Sequence, residues 1–149
     1  MSAAGEAATC EFCAIARGES DAEIVCAGPG WVAFFPLEPA TPGHTLVIPR
    51  EHVPHLWLAN AELAADLMRA VSRVGRAVDS ALTPDGMNLI TSAGEAAEQT
   101  VSHLHLHVVP RWADDHFGAI WPPKEAMRRE VKANLAQQIR EACDGAISG

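Results

Sequence analysis

Two short stretches of this chain carry residue types suited to chemistry. The first is Val101-Ser102-His103-Leu104-His105-Leu106-His107-Val108-Val109-Pro110-Arg111, where imidazoles alternate with aliphatic side chains. In an extended strand successive side chains point to opposite faces, so His103, His105 and His107 stand in a row roughly 7 Å apart. Leu104, Leu106 and Val108 then turn into a core. Imidazole titrates near neutrality and is a common metal ligand, so such a row suits phosphoryl-transfer or metal chemistry. Three of the chain's seven histidines fall on this ladder, which argues against a solvent face that merely happens to carry histidine. The second stretch is Cys10-Glu11-Phe12-Cys13. A Cys-x-x-Cys knuckle brings two thiolates within reach of one zinc ion. No second Cys-x-x-Cys is present to complete the site. A redox pair and two unlinked thiols are the alternatives, and no βαβ pattern surrounds the motif as the redox reading requires. Cys26 and Cys143 carry no spacing signal and read as small buried hydrophobes.

The elements that must position these residues follow from periodicity and punctuation. Residues 1–9 are small and polar and read as a disordered tail, with a single domain over residues 10–149. Phe12 to Ala16 forms a short helix. Ile24 to Cys26 and Trp31 to Phe35 are strands joined through Gly28-Pro29-Gly30. Residues 36–43 hold three prolines and are a loop. His44 to Pro49 is a third strand. A long central helix runs from Asn60, its N-cap, to about Leu82, with Leu63, Leu67, Val71 and Val74 on its buried stripe. Met87 to Thr91 and His103 to Val109 are the fourth and fifth strands around a polar loop at 92–100. A C-terminal helix runs from Glu125 to about Ala142. Short strands joined by short loops predict the α+β class, an antiparallel sheet with helices packed on one side.

Composition removes several classes of function. The 149 residues suffice for one ordinary core, and a formal net charge of −8 gives no footprint for nucleic acid or an anionic membrane. No apolar run approaches a membrane span and no secretory signal begins the chain, which predicts a cytoplasmic protein.

At the histidine ladder the chain resembles the histidine-triad (HIT) superfamily, whose signature is His-φ-His-φ-His-φ-φ with φ apolar. His103-Leu104-His105-Leu106-His107-Val108-Val109 fits at every position. Gly43-His44-Thr45-Leu46-Val47-Ile48-Pro49-Arg50, Gly94 to Val101 and Phe117-Gly118-Ala119-Ile120-Trp121 are similar to segments of the bacterial, zinc-containing branch. The resemblance covers residues 10–121 or so. It implies a five-stranded antiparallel sheet continued across a homodimer. It also implies a nucleotidyl hydrolase or transferase acting on phosphoramidates, dinucleoside polyphosphates or adenylated compounds.

On this mapping His105 is the nucleophile, forming a covalent nucleotidyl-histidine that water cleaves. A backbone carbonyl bonded to one of its nitrogens would aim the other at phosphorus. His107 donates to a non-bridging phosphate oxygen, and His44 is a catalytic histidine beside the triad. Gln99, Thr100 and Ser92 match positions that contact phosphate or leaving group. Zinc-containing relatives complete a closed, structural Cys₂His₂ site with residues matching His52 and His103, and His55 competes with His52. The likeness also points to Trp112, Trp121 and Phe117-Gly118 as residues near a partner's site, although packing is the preferred reading of them.

Two departures from the family pattern concern substrate. Relatives often carry a ribose-binding aspartate where this chain has Pro36, with Glu38 close by as a substitute, and an asparagine where it has Ser92. Losing one hydrogen bond to a charged acceptor costs about 1.5–3 kcal/mol. Two rival functions follow: a zinc-dependent hydrolase whose metal is held by His103, His105 and His107, and a nucleotide-binding protein without turnover.

Overall fold

The computed structural model describes residues 7–147. The chain divides into two compact units, Met1–Phe117 and Gly118–Gly149. The tail expected over residues 1–9 lies, for its first six residues, outside the described residues; residues 7–9 are helical.

The first unit is built on a five-stranded sheet. Its strands are β1 (Ile24–Ala27), β2 (Trp31–Phe34), β3 (Thr45–Pro49), β4 (Gly86–Ile90) and β5 (Leu106–Arg111), in the order β1-β2-β3-β5-β4. All four pairings are antiparallel. Helix α1 spans Glu11–Arg17 and helix α2 spans Ala61–Leu82. Asn60 caps α2 by accepting a 2.8 Å hydrogen bond from the Leu63 amide, and Thr83 ends it in the left-handed conformation.

The helices are on both faces rather than one. Leu67, Ala70, Val71, Val74 and Val78 of α2 pack with Ala33, Val47, Leu104, Leu106 and Val108. On the other face Phe12 and Ala16 of α1 pack with Val32, Phe34, Leu46 and Ile48. Strand alternation explains this, since β2 and β3 are apolar on both sides and each side needs a cover. The segment that carries the Cys-x-x-Cys supplies the second cover.

The fifth strand is displaced from its predicted position. It begins at Leu106 and runs to Arg111, so His103 to His105 precede it. The ladder cannot start earlier because the backbone there is engaged elsewhere: the Leu104 amide donates to Val53 O at 2.6 Å, and the His105 carbonyl accepts from the Thr91 hydroxyl at 2.8 Å. The alternation of faces nevertheless holds. Leu104, Leu106 and Val108 enter the α2 side, and His105 contacts Phe12 of α1.

Gly43, just before the buried His44, has φ +83, and a Cβ there would strike Leu82. Glycine is therefore required at that turn. At the end of β5, Arg111 pairs with Asp115 at 2.7 Å and lies over the Phe117 ring. The Arg111 guanidinium holds the Asp115 carboxyl well below the usual carboxylate range. Phe117 therefore packs as expected, whereas Trp121 is exposed.

In the second unit the C-terminal helix, α3, spans Arg129–Ile147 rather than 125–142. Its first bond runs from the Lys132 amide to Arg128 O, because residues 124–128 offer no Ser, Thr, Asp or Asn as a cap. Gly145 is carried inside the helix instead of ending it. Cys143 is exposed and Cys26 only half-buried, against the expectation of burial for both. No helix among the described residues is long and apolar enough to cross a membrane.

Leu104 sits between the first two histidines and is fully buried. Leu104→Ala should cost about 2–5 kcal/mol, measured by chemical denaturation; a loss within 0.5 kcal/mol, the scale of surface substitutions, would contradict the packing described.

Candidate functional site

Four histidines meet where β3 and β5 pair. Leu46 lies opposite His107 across the ladder, which brings the neighbouring His44 toward His107. His44 Nε2 and His107 Nδ1 are 2.9 Å apart with the rings stacked, and the His105 and His107 ring centroids are 4.9 Å apart. His103, His105 and His44 are 0%, 5% and 6% exposed, so this is no solvent-facing row.

Backbone groups set every tautomer in this cluster. His105 Nδ1 lies 2.7 Å from the His103 carbonyl. A carbonyl only accepts, so Nδ1 carries the proton and Nε2 presents a lone pair. The Ala40 amide donates to His44 Nδ1 at 3.0 Å, so the His44 proton is on Nε2. That N–H donates to His107 Nδ1, which leaves the His107 proton on Nε2. The result is one nucleophilic nitrogen and, two residues along, one N–H donor. These assignments apply to neutral rings, and the rings are neutral at pH 7. Burial lowers the pKa of His44 and His105. Burial, followed by His105 and His44 nearby, pushes His107 down to about 4.

Beside the cluster lies a cavity of about 690 Å³. His105, His107 and His44 form its polar floor, and Phe12, Ile15, Phe34, Leu46 and Val101 its apolar wall. Phe12 meets His105 edge-on at 5.3 Å. Pro36, Leu37 and Glu38 also line it, so Glu38 reaches the cavity whose expected aspartate is replaced by Pro36.

The other expected phosphate contacts divide. Thr100 lines the cavity, whereas Ser92 does not. Gln99 is spent on the loop: its Nε2 donates to Pro54 O at 2.6 Å and Val101 O at 3.0 Å, and its Oε1 accepts from the Gly94 amide at 2.8 Å. Sequence reasoning missed Phe12, the Ala40 amide and Thr91. Phe12 had a signal, as an aromatic inside the Cys-x-x-Cys, while the other two act through contacts that no spacing encodes.

The second cluster adjoins the first through His103. Ligand atoms of Cys10, Cys13, His52 and His103 all lie within 4.8 Å of one another. Cys13 Sγ is 3.3 Å from His52 Nδ1 and 3.5 Å from His103 Nδ1, and Cys10 Sγ is 3.5 Å from His103 Nδ1. Zinc bonds of about 2.3 Å to sulfur and 2.0–2.1 Å to nitrogen give tetrahedral edges of about 3.3–3.8 Å, so this donor set fits that ion. His103 Nε2 donates to Pro49 O at 2.9 Å, which turns the Nδ1 lone pair to the cysteines. Burial, and then Cys10, pushes the Cys13 thiol up to about 11; a divalent cation would offset that cost by stabilising the thiolate. His55 stands outside the cluster. With both nitrogens of His103 committed, the three triad histidines do not converge on one metal position.

Known proteins of one family resemble this chain in sequence and in fold. A family model described as the HIT domain matches residues 17–114. The protein named hit from Bacillus subtilis is 37% identical, over 77% of this chain and 80% of its own length. An adenosine 5'-monophosphoramidase, hnt1, from Schizosaccharomyces pombe is 30% identical, over 88% of this chain and 96% of its own. Among solved structures, a HIT family protein from Bacillus anthracis has a TM-score of 0.82 at 34% identity, covering 90% of this chain and 96% of that one. A zinc-bound histidine triad family protein from Mycobacterium smegmatis has a TM-score of 0.71 at 33% identity, covering 94% and 99%.

Because the folded pKa of His107 is lowered from 6.5, its contribution to stability is present above pH 6.5 and lost as pH falls toward 4. NMR titration of the ring C–H resonances should show His107 neutral through pH 6 with a midpoint near 4; a midpoint near 6.5 would break the tautomer chain.

Proposed function

The chain belongs to the HIT (histidine triad) family, and from that premise we propose that it is a nucleotidyl hydrolase or transferase acting through a covalent nucleotidyl-histidine on His105. The observation that carries this is the 2.7 Å bond from His105 Nδ1 to the His103 carbonyl, which leaves Nε2 as an unpartnered lone pair on the cavity floor. The substrate is a nucleoside phosphoramidate or a dinucleoside polyphosphate. The Nε2 lone pair attacks phosphorus and forms an N–P bond, the P–N or P–O bond opposite breaks, and the leaving atom keeps the electron pair and takes a proton from water. A second water then attacks phosphorus, the bond to His105 breaks, and the nucleoside monophosphate leaves while that water's proton returns to solvent. The His107 Nε2–H donates to a non-bridging oxygen, where charge builds up. His44 holds His107 in the donating tautomer, and the Thr100 hydroxyl contacts the phosphate. Gln99 braces the 92–100 loop rather than the phosphate directly. The phosphoramidase activity named for the fission-yeast relative supports the P–N reading.

Cys10, Cys13, His52 and His103 hold a structural zinc in this proposal. Bound there, the ion neutralises two thiolates and ties α1 to the triad segment; it supplies no catalytic group. The zinc-dependent rival, with a metal on His103, His105 and His107, has no geometric support, since both His103 nitrogens face away from the other two. Reduced zinc-binding cysteines suit a cytoplasmic setting. The homodimer that the family implies would form at the free edge of β4, where Met87 and Leu89 are exposed.

Intact-mass spectrometry soon after mixing with an adenosine phosphoramidate should show a transient nucleotidyl adduct on the wild type and none on His105→Ala, whose turnover falls to background. Substantial turnover by His105→Ala would end the proposal. His107→Ala should lower kcat by about 10²–10³. Elemental analysis should find one zinc per chain, lost in Cys13→Ser and kept in His55→Ala; zinc retained by Cys13→Ser would place the ion elsewhere.

A further inference from the structure

The candidate nucleophile sits between two peptide units, each held by a group outside the sheet ladder. The first unit joins His103 to Leu104. Its N–H donates to Val53 O at 2.6 Å, and its carbonyl, which points the opposite way in a trans peptide, lies 2.7 Å from His105 Nδ1 and accepts from it. The second unit joins His105 to Leu106, and its carbonyl accepts from the Thr91 hydroxyl at 2.8 Å. Val53 contributes a main-chain oxygen and Thr91 a side chain, so only the second hold depends on residue type.

Register explains why a side chain is needed there. β4 pairs with β5 from Gly86 opposite Arg111 to Ile90 opposite His107. Continued, that ladder would set Ser92 opposite His105, but β4 ends at Ile90 and β5 begins at Leu106. The strands part at the step that carries the nucleophile, and the Thr91 hydroxyl spans the gap. Threonine is branched at Cβ, so its χ1 is restricted and the hydroxyl is placed before substrate arrives. Thr91 is not among the residues lining the cavity, so it reaches the reaction only through His105.

Resting on the nucleotidyl-transfer reading above, we propose that Thr91 is a positioning residue for that reaction. Its bond to the His105 carbonyl fixes the backbone that carries the imidazole, and so keeps Nδ1 on the His103 carbonyl and Nε2 aimed at phosphorus. Only the φ and ψ of Leu104 and of His105 separate the two held units. Releasing the second unit frees these torsions, and a change in the φ of His105 swings the ring away from the His103 carbonyl. A ring without that acceptor also takes the other tautomer, in which Nε2 carries the proton and has no lone pair to attack with. Thr91 itself exchanges no proton or electron pair; the N–P bond formed and the P–N or P–O bond broken are those assigned to His105 above.

Thr91→Val keeps the side-chain shape and removes the donor. With an adenosine phosphoramidate, kcat and the single-turnover rate of adduct formation should fall by about ten- to a hundredfold, while KM stays within about threefold. Thr91→Ser returns a hydroxyl and should recover most of the lost kcat. Imidazole nitrogen NMR should find His105 as the Nδ1–H tautomer in the wild type and as a mixture with the Nε2–H tautomer in Thr91→Val, with His44 unchanged. A loss of stability alone does not move that equilibrium. Folding is checked by circular dichroism and thermal unfolding. Thr91→Ala replaces the valine variant if that one does not fold, and should show the same loss because water satisfies the carbonyl without fixing it. Wild-type kcat in the folded valine or alanine variant overturns the inference, as does an unchanged His105 tautomer or a serine variant that recovers nothing. In each of these cases an adduct on wild-type His105 leaves the nucleotidyl-histidine mechanism standing. Absence of that adduct, with no turnover of any nucleotide substrate, overturns both.

Discussion

The structure depends most on one residue acting at both ends. The imidazole of His103 is fully buried between Cys10, Cys13 and the Pro49 carbonyl, and its own carbonyl receives the His105 ring. The first set of contacts fixes where the backbone is; the second uses that backbone to orient the candidate nucleophile. A ring held by two such anchors has little rotamer freedom left, so the cost of ordering the reactive nitrogen is met during folding rather than during reaction. The cysteine segment thereby affects His105 through two routes, the His103 carbonyl and the edge contact of Phe12.

A second chain of bonds does the same for His107. It begins at a backbone amide, Ala40, which has no choice but to donate, and passes through His44 to His107. Both histidine orientations are thus decided by main-chain groups, which cannot change protonation state. Burial keeps the rings neutral, so the tautomers persist at physiological pH. The turn at Gly43 positions His44 in this chain, and only a residue without Cβ fits it.

How much of this was legible beforehand can be judged residue by residue. The long helix was readable to within a residue, because Asn60 is a capping side chain and the apolar spacing from Leu63 to Val74 has helical period. The fifth strand was misplaced by three residues at its start: alternation reports which face a side chain takes, but not whether neighbouring amides find ladder partners. The short helix around Phe12–Ala16 was legible, but not that it covers the face opposite α2, because which side of a sheet a helix packs against is set by chain crossings and not by local spacing. Cys143 was read as buried from residue type alone and is exposed; Trp121, for which packing was preferred over a place near a partner's site, is exposed as well.

The sequence by itself determined the family, the alternating row of histidines, the cysteine knuckle and the α+β class, since each is written in residue type and short-range spacing. The tertiary structure brings His52, the histidine that the resemblance had favoured, to the cysteines and leaves its competitor His55 apart, and it alone decided that His44 bonds His107 across 63 positions of chain. It also decided that Gln99 braces a loop and that the Thr91 hydroxyl reaches the His105 carbonyl. Those are relations between segments far apart in the chain, set by sheet register and by how loops cross its end, and local pattern carries no record of either.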